Sequence, residues 1–210
     1  MNGAHHVLFK DRTDAGTQLA AKLQPYTDSL ALVLGLARGG VIVSRRVAAL
    51  LHLPSDTLVI KKISSPYNPE YALGAMAPDG VDVIHWADAH RSGVDEEYIR
   101  GLEKELRSVV SSKMRLYRKG EKPLVVEGKT VILVDDGAAT GATMEAAVLW
   151  ARKKKARSII VALPVASKTA VQQLRAKVSE CVCVFETDDL EAVGAYYESF
   201  EQINDEDVIR

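Results

Sequence analysis

Asp135 and Asp136 end an apolar run, Val131-Ile-Leu-Val134, and are followed by Gly137-Ala-Ala-Thr-Gly-Ala-Thr143. Two adjacent carboxylates accept hydrogen bonds from hydroxyls. The turn after them carries no bulky side chain up to Thr143, so its backbone N–H groups can close on an anion. A helical pattern follows from Met144 to Lys154, and a helix start adds free N–H groups and a positive dipole end. An anion cradle beside two carboxylates suits a sugar phosphate. Ala138, Ala139, Thr140, Gly141, Ala142 and Thr143 would take the phosphate, and Asp135 and Asp136 the ribose hydroxyls. A second constellation, Gly35-Leu-Ala-Arg-Gly-Gly40, also sits where a strand runs into a helix. Its paired glycines allow close backbone approach to a ligand, and Arg38 offers a guanidinium suited to phosphate oxygens. Two such loops provide two phosphate sites.

The elements that must position these residues are legible as an alternation. Residues 11–25 carry apolar positions at helical spacing. Ala31–Leu36 reads as a buried strand and 41–51 as a helix. Thr57–Ile63 reads as a strand ending in Lys61 and Lys62. Ala72–Ala77 and Val81–Trp86 read as two short strands around Pro78-Asp79-Gly80, and Val94–Lys119 as a long charged helix. After the acidic strand and its helix come a strand at Arg157–Pro164, a helix at Lys168–Lys177 and a strand at Cys181–Phe185. This order predicts an α/β fold, a mainly parallel twisted sheet flanked by helices, in which ligands bind beyond the carboxyl ends of the strands. We expect one domain over residues 1–210. A strand/helix insertion over about 64–127 would interrupt it, and a tail would run over about 186–210.

The 210 residues suffice for one domain. The net charge of −1 gives no reason to expect nucleic acid as a partner. No apolar stretch approaches the roughly 18 residues of a membrane span, and Met1-Asn-Gly-Ala-His-His6 lacks the apolar core of a signal peptide. Cys181 and Cys183, at strand spacing, point the same way, so a disulfide between them would be strained. They read as core thiols in a reducing cytoplasm. No P-loop pattern G-x-x-x-x-G-K-[ST] occurs, and no Ser-His-Asp or Cys-His arrangement presents itself.

The run from Val131 to Met144 resembles the phosphoribosyl diphosphate (PRPP) signature of type I phosphoribosyltransferases. The Ala37-Arg38-Gly39-Gly40 loop, Asn68-Pro69-Glu70, Leu116-Tyr117-Arg118 and the tail Val193–Phe200 resemble a bacterial subfamily whose acceptor base is unassigned. The resemblance implies transfer of a 5-phosphoribosyl group from Mg²⁺-bound PRPP to a nitrogen acceptor, with release of pyrophosphate. It puts the 5-phosphate in the turn 138–143 and the ribose on Asp135 and Asp136. The pyrophosphate would lie on Ala37, Arg38, Gly39 and Gly40, with a non-proline cis peptide at Ala37–Arg38. Lys62, and Arg118 or Lys122, would reach the same pyrophosphate. A flexible loop would follow Lys62, with Glu70 or Asn68 close to substrate, and a hood over the acceptor would draw on the first helix and Tyr196, Tyr197 or Phe200. Enzymes for 6-oxopurines carry an aspartate where this chain has Ala139, which argues against hypoxanthine or guanine and leaves adenine-type and orotate-type acceptors open. PRPP and a small-molecule acceptor are the expected partners, and homo-oligomerisation is left open. The rival reading is a protein of this fold that binds PRPP or a nucleotide as a signal, without turnover.

Overall fold

Strands that are apolar at every position must be covered on both faces, and the chain meets this demand with a parallel sheet between helices. The computed structural model describes residues 7–68, 71–119 and 124–209. Five strands, β1 (Leu32–Leu36), β2 (Ser55–Leu58), β6 (Thr130–Val134), β7 (Ser158–Ser167) and β8 (Glu180–Thr187), stand in the order β2-β1-β6-β7-β8, and every neighbouring pair is parallel. The two-residue period of a strand divides their side chains between two cores. Val33, Ile132, Val134, Ile160 and Ala162 pack on α1 (Arg12–Lys22) and α2 (Gly39–Leu51) through Leu19, Val43, Val47 and Leu51, and on Leu23 at the end of α1. Leu32, Leu34, Leu36, Val131, Leu133, Val161 and Leu163 pack on α5 (Ala142–Lys153) and α6 (Lys168–Arg175) through Met144, Ala147, Trp150, Val171 and Leu174. Each fully buried side chain of this size contributes roughly 1.5–3 kcal/mol of transfer free energy.

The expected single strand Thr57–Ile63 is two. Leu58 ends the pairing with β1, the chain crosses at Val59-Ile60, and β3 (Lys61–Ser64) pairs with β4 (Ala72–Ala77) in a separate antiparallel sheet completed by β5 (Val81–Ile84). The apolar run hid the break because its residues are buried on both sides of the crossing: Leu58 and Ile60 face one cluster and Val59 another. The second expected hairpin strand stops at Ile84, and Trp86 instead begins the short helix α3 (Trp86–Arg91). The long helix is α4 (Glu96–Tyr117), started by Asp95, whose side chain accepts the Tyr98 N–H at 2.8 Å.

The last described helix, α7 (Asp205–Ile209), buries Val208 against Val110 and Tyr117 of α4. Before it, the tail passes the first described residues of the chain: Phe9 pairs with Tyr197 in a parallel bridge, and both pack with Ala15 and Tyr196. No helix among the described residues is long and apolar enough to cross a membrane.

Candidate functional site

β1 and β6 are parallel neighbours with Gly35 opposite Val134, so the loops that leave their carboxyl ends lie side by side. Asp135 and Arg38 therefore share one edge of one sheet, as the alternation predicted. The Ala37–Arg38 peptide is cis. The glycines after it are required by contact with the acidic loop. A Cβ on Gly40 would stand 2.7 Å from the Val134 carbonyl oxygen and 2.8 Å from Asp135 Cα, and one on Gly39 would stand 1.8 Å from Asp136 Oδ2. Sequence reasoning assigned these glycines to ligand approach; in the structure they first let the two loops touch each other.

The two carboxylates have different surroundings. Asp136 Oδ2 accepts the Arg12 Nε–H at 2.8 Å in an ion pair whose side chains are 9% and 16% exposed. Its carbonyl accepts the Tyr197 hydroxyl at 2.6 Å. Arg12 also donates to the Glu201 carbonyl at 2.8 Å and lies 3.8 Å from the centre of the Phe200 ring. Asp135 has no cationic partner of that kind among the described residues. Its Oδ1 accepts the Asp136 N–H at 2.9 Å, and burial, followed by the charge of Asp136, pushes its carboxyl well above the usual range. Asp136 is thus the carboxylate paired with a cation, and Asp135 the one whose proton affinity is raised. Arg12 was not singled out from the sequence. The signal was there: a cation in the first turn of a helix opposes the dipole, so a buried partner elsewhere has to hold it.

The turn after the acidic pair is anchored at one end and open at the other. Ala138 N–H donates to the Val165 carbonyl at 3.0 Å, and the Ala138 carbonyl accepts Ser167 N–H at 3.0 Å. The Ser167 hydroxyl donates to the Ala139 carbonyl at 2.6 Å. Ala138 therefore cannot offer its N–H to a phosphate, contrary to the expectation for the turn as a whole. The N–H groups of Ala139, Thr140, Gly141 and Thr143 meet no protein acceptor among the described residues, and that of Ala142 reaches the Thr140 hydroxyl only at 3.5 Å. Gly141 has φ of 79°, where glycine is favoured. It precedes α5 without any side-chain cap. Free N–H groups at the start of a full helix form an anion site.

The basic residues divide. The Arg38 side chain is 43% exposed and its Nη1 lies 3.9 Å from Asp205 Oδ1. Lys61 stands beside it: burial first, then the charges of Arg38 and Lys113, hold its ammonium pKa below the ordinary lysine value. Lys62, the residue favoured from the sequence, alternates to the other face of β3 and is exposed. Arg118 is turned away from the site. Its guanidinium binds Asp56 at the start of β2, Nη2 to Oδ2 at 2.8 Å and Nε to Oδ1 at 2.9 Å, in a pair whose side chains are 10% and 19% exposed. The expectation that it reaches pyrophosphate is corrected: a helix C-terminus attracts cations anyway, and the partner supplied by β2 was out of sight in the sequence. Glu70 and Lys122 lie outside the described residues. At the stem of the expected loop, Ser65 N–H donates to the Tyr71 carbonyl at 3.0 Å.

A cavity of about 420 Å³ opens between α1, the Arg38 loop and the tail, lined by Arg12, Arg38, Gly39, Phe200, Gln202 and Ile203. Of the aromatic residues expected in the hood, Phe200 lines it; Tyr196 and Tyr197 are packed beneath, 5% exposed each. The two cysteines are free and half-buried on β8, their thiols pushed up by burial to about 11 for Cys181 and about 12 for Cys183. Thiols with such values are protonated and inert at neutral pH.

The fold is a parallel α/β sheet with two loops rich in small residues side by side at its carboxyl edge. The family model for the phosphoribosyl transferase domain matches residues 10–199, and the chain belongs to that family. Two Mycobacterium tuberculosis proteins, from strains CDC 1551 and H37Rv, are each 35% identical over 202 residues, which is 96% of this chain and 46% of theirs; they are named, provisionally, as phosphoribosyl transferases. The chain thus spans about half the length of these curated relatives. The crystal structure of TT1426 from Thermus thermophilus is 39% identical, covers 96% of this chain and 95% of its own, and superposes with a TM-score of 0.78.

Proposed function

We propose that this chain binds PRPP with Mg²⁺ and transfers its 5-phosphoribosyl group to a nitrogen atom of a small acceptor, releasing pyrophosphate. The observation that carries this reading is the adjacency of two different anion sites across one pair of carboxylates. The open N–H groups of residues 139–143 suit a terminal phosphate monoester. The Arg38 loop, with Lys61, suits a diphosphate. Asp135 and Asp136 lie between them, where the ribose of a ligand spanning both sites must lie.

In the transfer, the bond from ribose C1 to the diphosphate oxygen breaks as the acceptor nitrogen bonds to C1. Positive charge develops on the sugar and negative charge on the leaving group. Asp136, paired with Arg12, favours the cationic sugar, and Asp135 accepts a ribose hydroxyl. Arg38 and Lys61 meet the charge of the departing diphosphate, a preorganised electrostatic contribution. Asp135 is a hard oxygen donor at this edge, the type Mg²⁺ prefers, and the metal would neutralise diphosphate oxygens. No protein nucleophile is required. The acceptor enters from the cavity beside Phe200. Ala139 at the turn supports an acceptor other than a 6-oxopurine.

The test is pyrophosphate release from PRPP and Mg²⁺ against a panel that includes adenine, orotate, hypoxanthine and simple amines. Release with one acceptor class, lost on chelation of Mg²⁺, is expected. PRPP binding without release on any acceptor would replace the transferase with a sensor, and failure to bind PRPP would remove both readings.

A further inference from the structure

Asp205 is the carboxylate around which three cationic side chains gather. Its Oδ2 pairs with Lys113 of α4, its Oδ1 accepts the Tyr117 hydroxyl at 2.6 Å, and Arg38 Nη1 stands 3.9 Å away. Lys61 joins the same group and feels the charges of Arg38, Lys113 and Asp205. One carboxylate therefore meets two cations from separate elements, with the charge of Lys61 on β3 acting on the same group. Like charges drawn together repel unless anions share the space, and a single carboxylate leaves positive charge in excess. Burial chiefly lowers the lysine pKa at Lys61, and the charges of Arg38 and Lys113 lower it further. The Arg38 contact is long for an ion pair, so its guanidinium retains donors for a second anion. The cluster adjoins the glycines that touch the sugar carboxylates.

We infer that Lys113 belongs to the diphosphate site, and that Asp205 is a built-in anion which holds Arg38, Lys61 and Lys113 together until a diphosphate takes them over. The inference rests on the transferase reading above and deepens it. A diphosphate brings several negative charges where Asp205 brings one, so it satisfies all three cations and frees the carboxylate. The segment Asp205–Ile209 would then report on occupancy, because Asp205 ties its start to Arg38 and Lys113 while Val208 packs on α4.

The test is calorimetric titration of inorganic pyrophosphate with Mg²⁺ into the full chain and its variants. Lys113→Met should bind about tenfold more weakly, a change of about 1.4 kcal/mol. Asp205→Asn should bind more tightly than the wild type, since the competing anion is gone and the Tyr117 hydroxyl keeps an acceptor. Wild-type affinity in Lys113→Met, or weaker binding by Asp205→Asn, overturns the inference. Should Asp205→Asn fold poorly by circular dichroism, hydrogen exchange on the wild type decides: pyrophosphate should speed exchange of the amides in α7, and slower or unchanged exchange overturns the displacement. A wild type that binds PRPP and pyrophosphate with Lys113 and Asp205 neutral to both defeats this inference alone. A wild type that binds neither defeats the transferase reading with it.

Discussion

The two loops at the sheet's carboxyl edge, proposed here as anion sites, are built in opposite ways. The turn after the acidic pair offers the main-chain N–H groups of Ala139, Thr140, Gly141 and Thr143, which no protein acceptor among the described residues has claimed. It carries no charged side chain that would need balancing. The Arg38 loop works through side-chain charge, and its charges are already held: Arg38 near Asp205, with Lys61 and Lys113 beside it, and the glycines pressed against Asp135 and Asp136. A cradle of backbone dipoles can stand open at little cost, because water satisfies exposed N–H groups. A cluster of cations has to be held by something, and in this chain the C-terminal segment does it. The first loop should therefore be sensitive to what is inserted into it, and the second to which residues hold it.

The largest effect is expected where charge enters the open cradle. Thr143→Glu would place a carboxylate in the first turn of α5, where the proposed function puts the phosphate. PRPP affinity should fall by on the order of 100-fold or more, equivalent to about 2.7 kcal/mol. The melting temperature should hardly move, since an acid in the first helical turn is favoured. Affinity within threefold of wild type, by calorimetry, would place the phosphate elsewhere.

Arg118→Met bears on the corrected boundary of the second site. Removing one partner of a mostly buried ion pair should cost about 2–3 kcal/mol in urea unfolding, while PRPP affinity of the folded protein stays within twofold. A selective loss of affinity with unchanged stability would return Arg118 to the pyrophosphate.

The lysine pair sharpens the side-chain half of the comparison. Lys61→Ala should weaken pyrophosphate by about tenfold, and Lys62→Ala by less than twofold. The reverse order would mean that the face of β3 presented to the site has been misassigned.

The smallest effect is electrostatic. Asp135 holds its proton more tightly in the fold than an unfolded aspartate, which releases it near pH 4 (about 3.9 in peptides). The unfolded chain loses that proton first as pH rises, so stability falls through the interval up to the folded value and the penalty persists above it. Asp135→Asn removes the penalty. Its melting temperature should exceed that of the wild type at pH 7, and the gap should close as pH falls toward about 4. A gap that widens on acidification would contradict the raised proton affinity.

The contrast between the loops also explains what could be read from the sequence. The turn 138–143 and the loop 37–40 are contiguous, and their small residues, glycines and adjoining apolar runs are all local, so the parallel sheet, its edge and the acidic pair were legible. The holding partners are not local. Arg12 meets Asp136 from another helix, Arg118 turns to Asp56, and Asp205 gathers Arg38, Lys61 and Lys113 from three elements. Each of these residues looks like an ordinary surface charge in its own stretch of sequence. The same limit hid the split of Thr57–Ile63: whether an apolar run stays in one sheet or crosses to another depends on which strand pairs with it. The choice between Lys61 and Lys62 followed from that split, because it fixes which of the two lies on the less exposed face of β3.

The central claim is that both loops hold one ligand, and amide chemical-shift titration reads it directly. With PRPP and Mg²⁺, the N–H signals of Ala139–Thr143 and of Arg38–Gly40 should move together and fit a single Kd. Ribose 5-phosphate alone should move chiefly the first group, and pyrophosphate alone chiefly the second. If PRPP shifted only one group, or the two groups fitted clearly different Kd values, a single substrate spanning both loops would be contradicted.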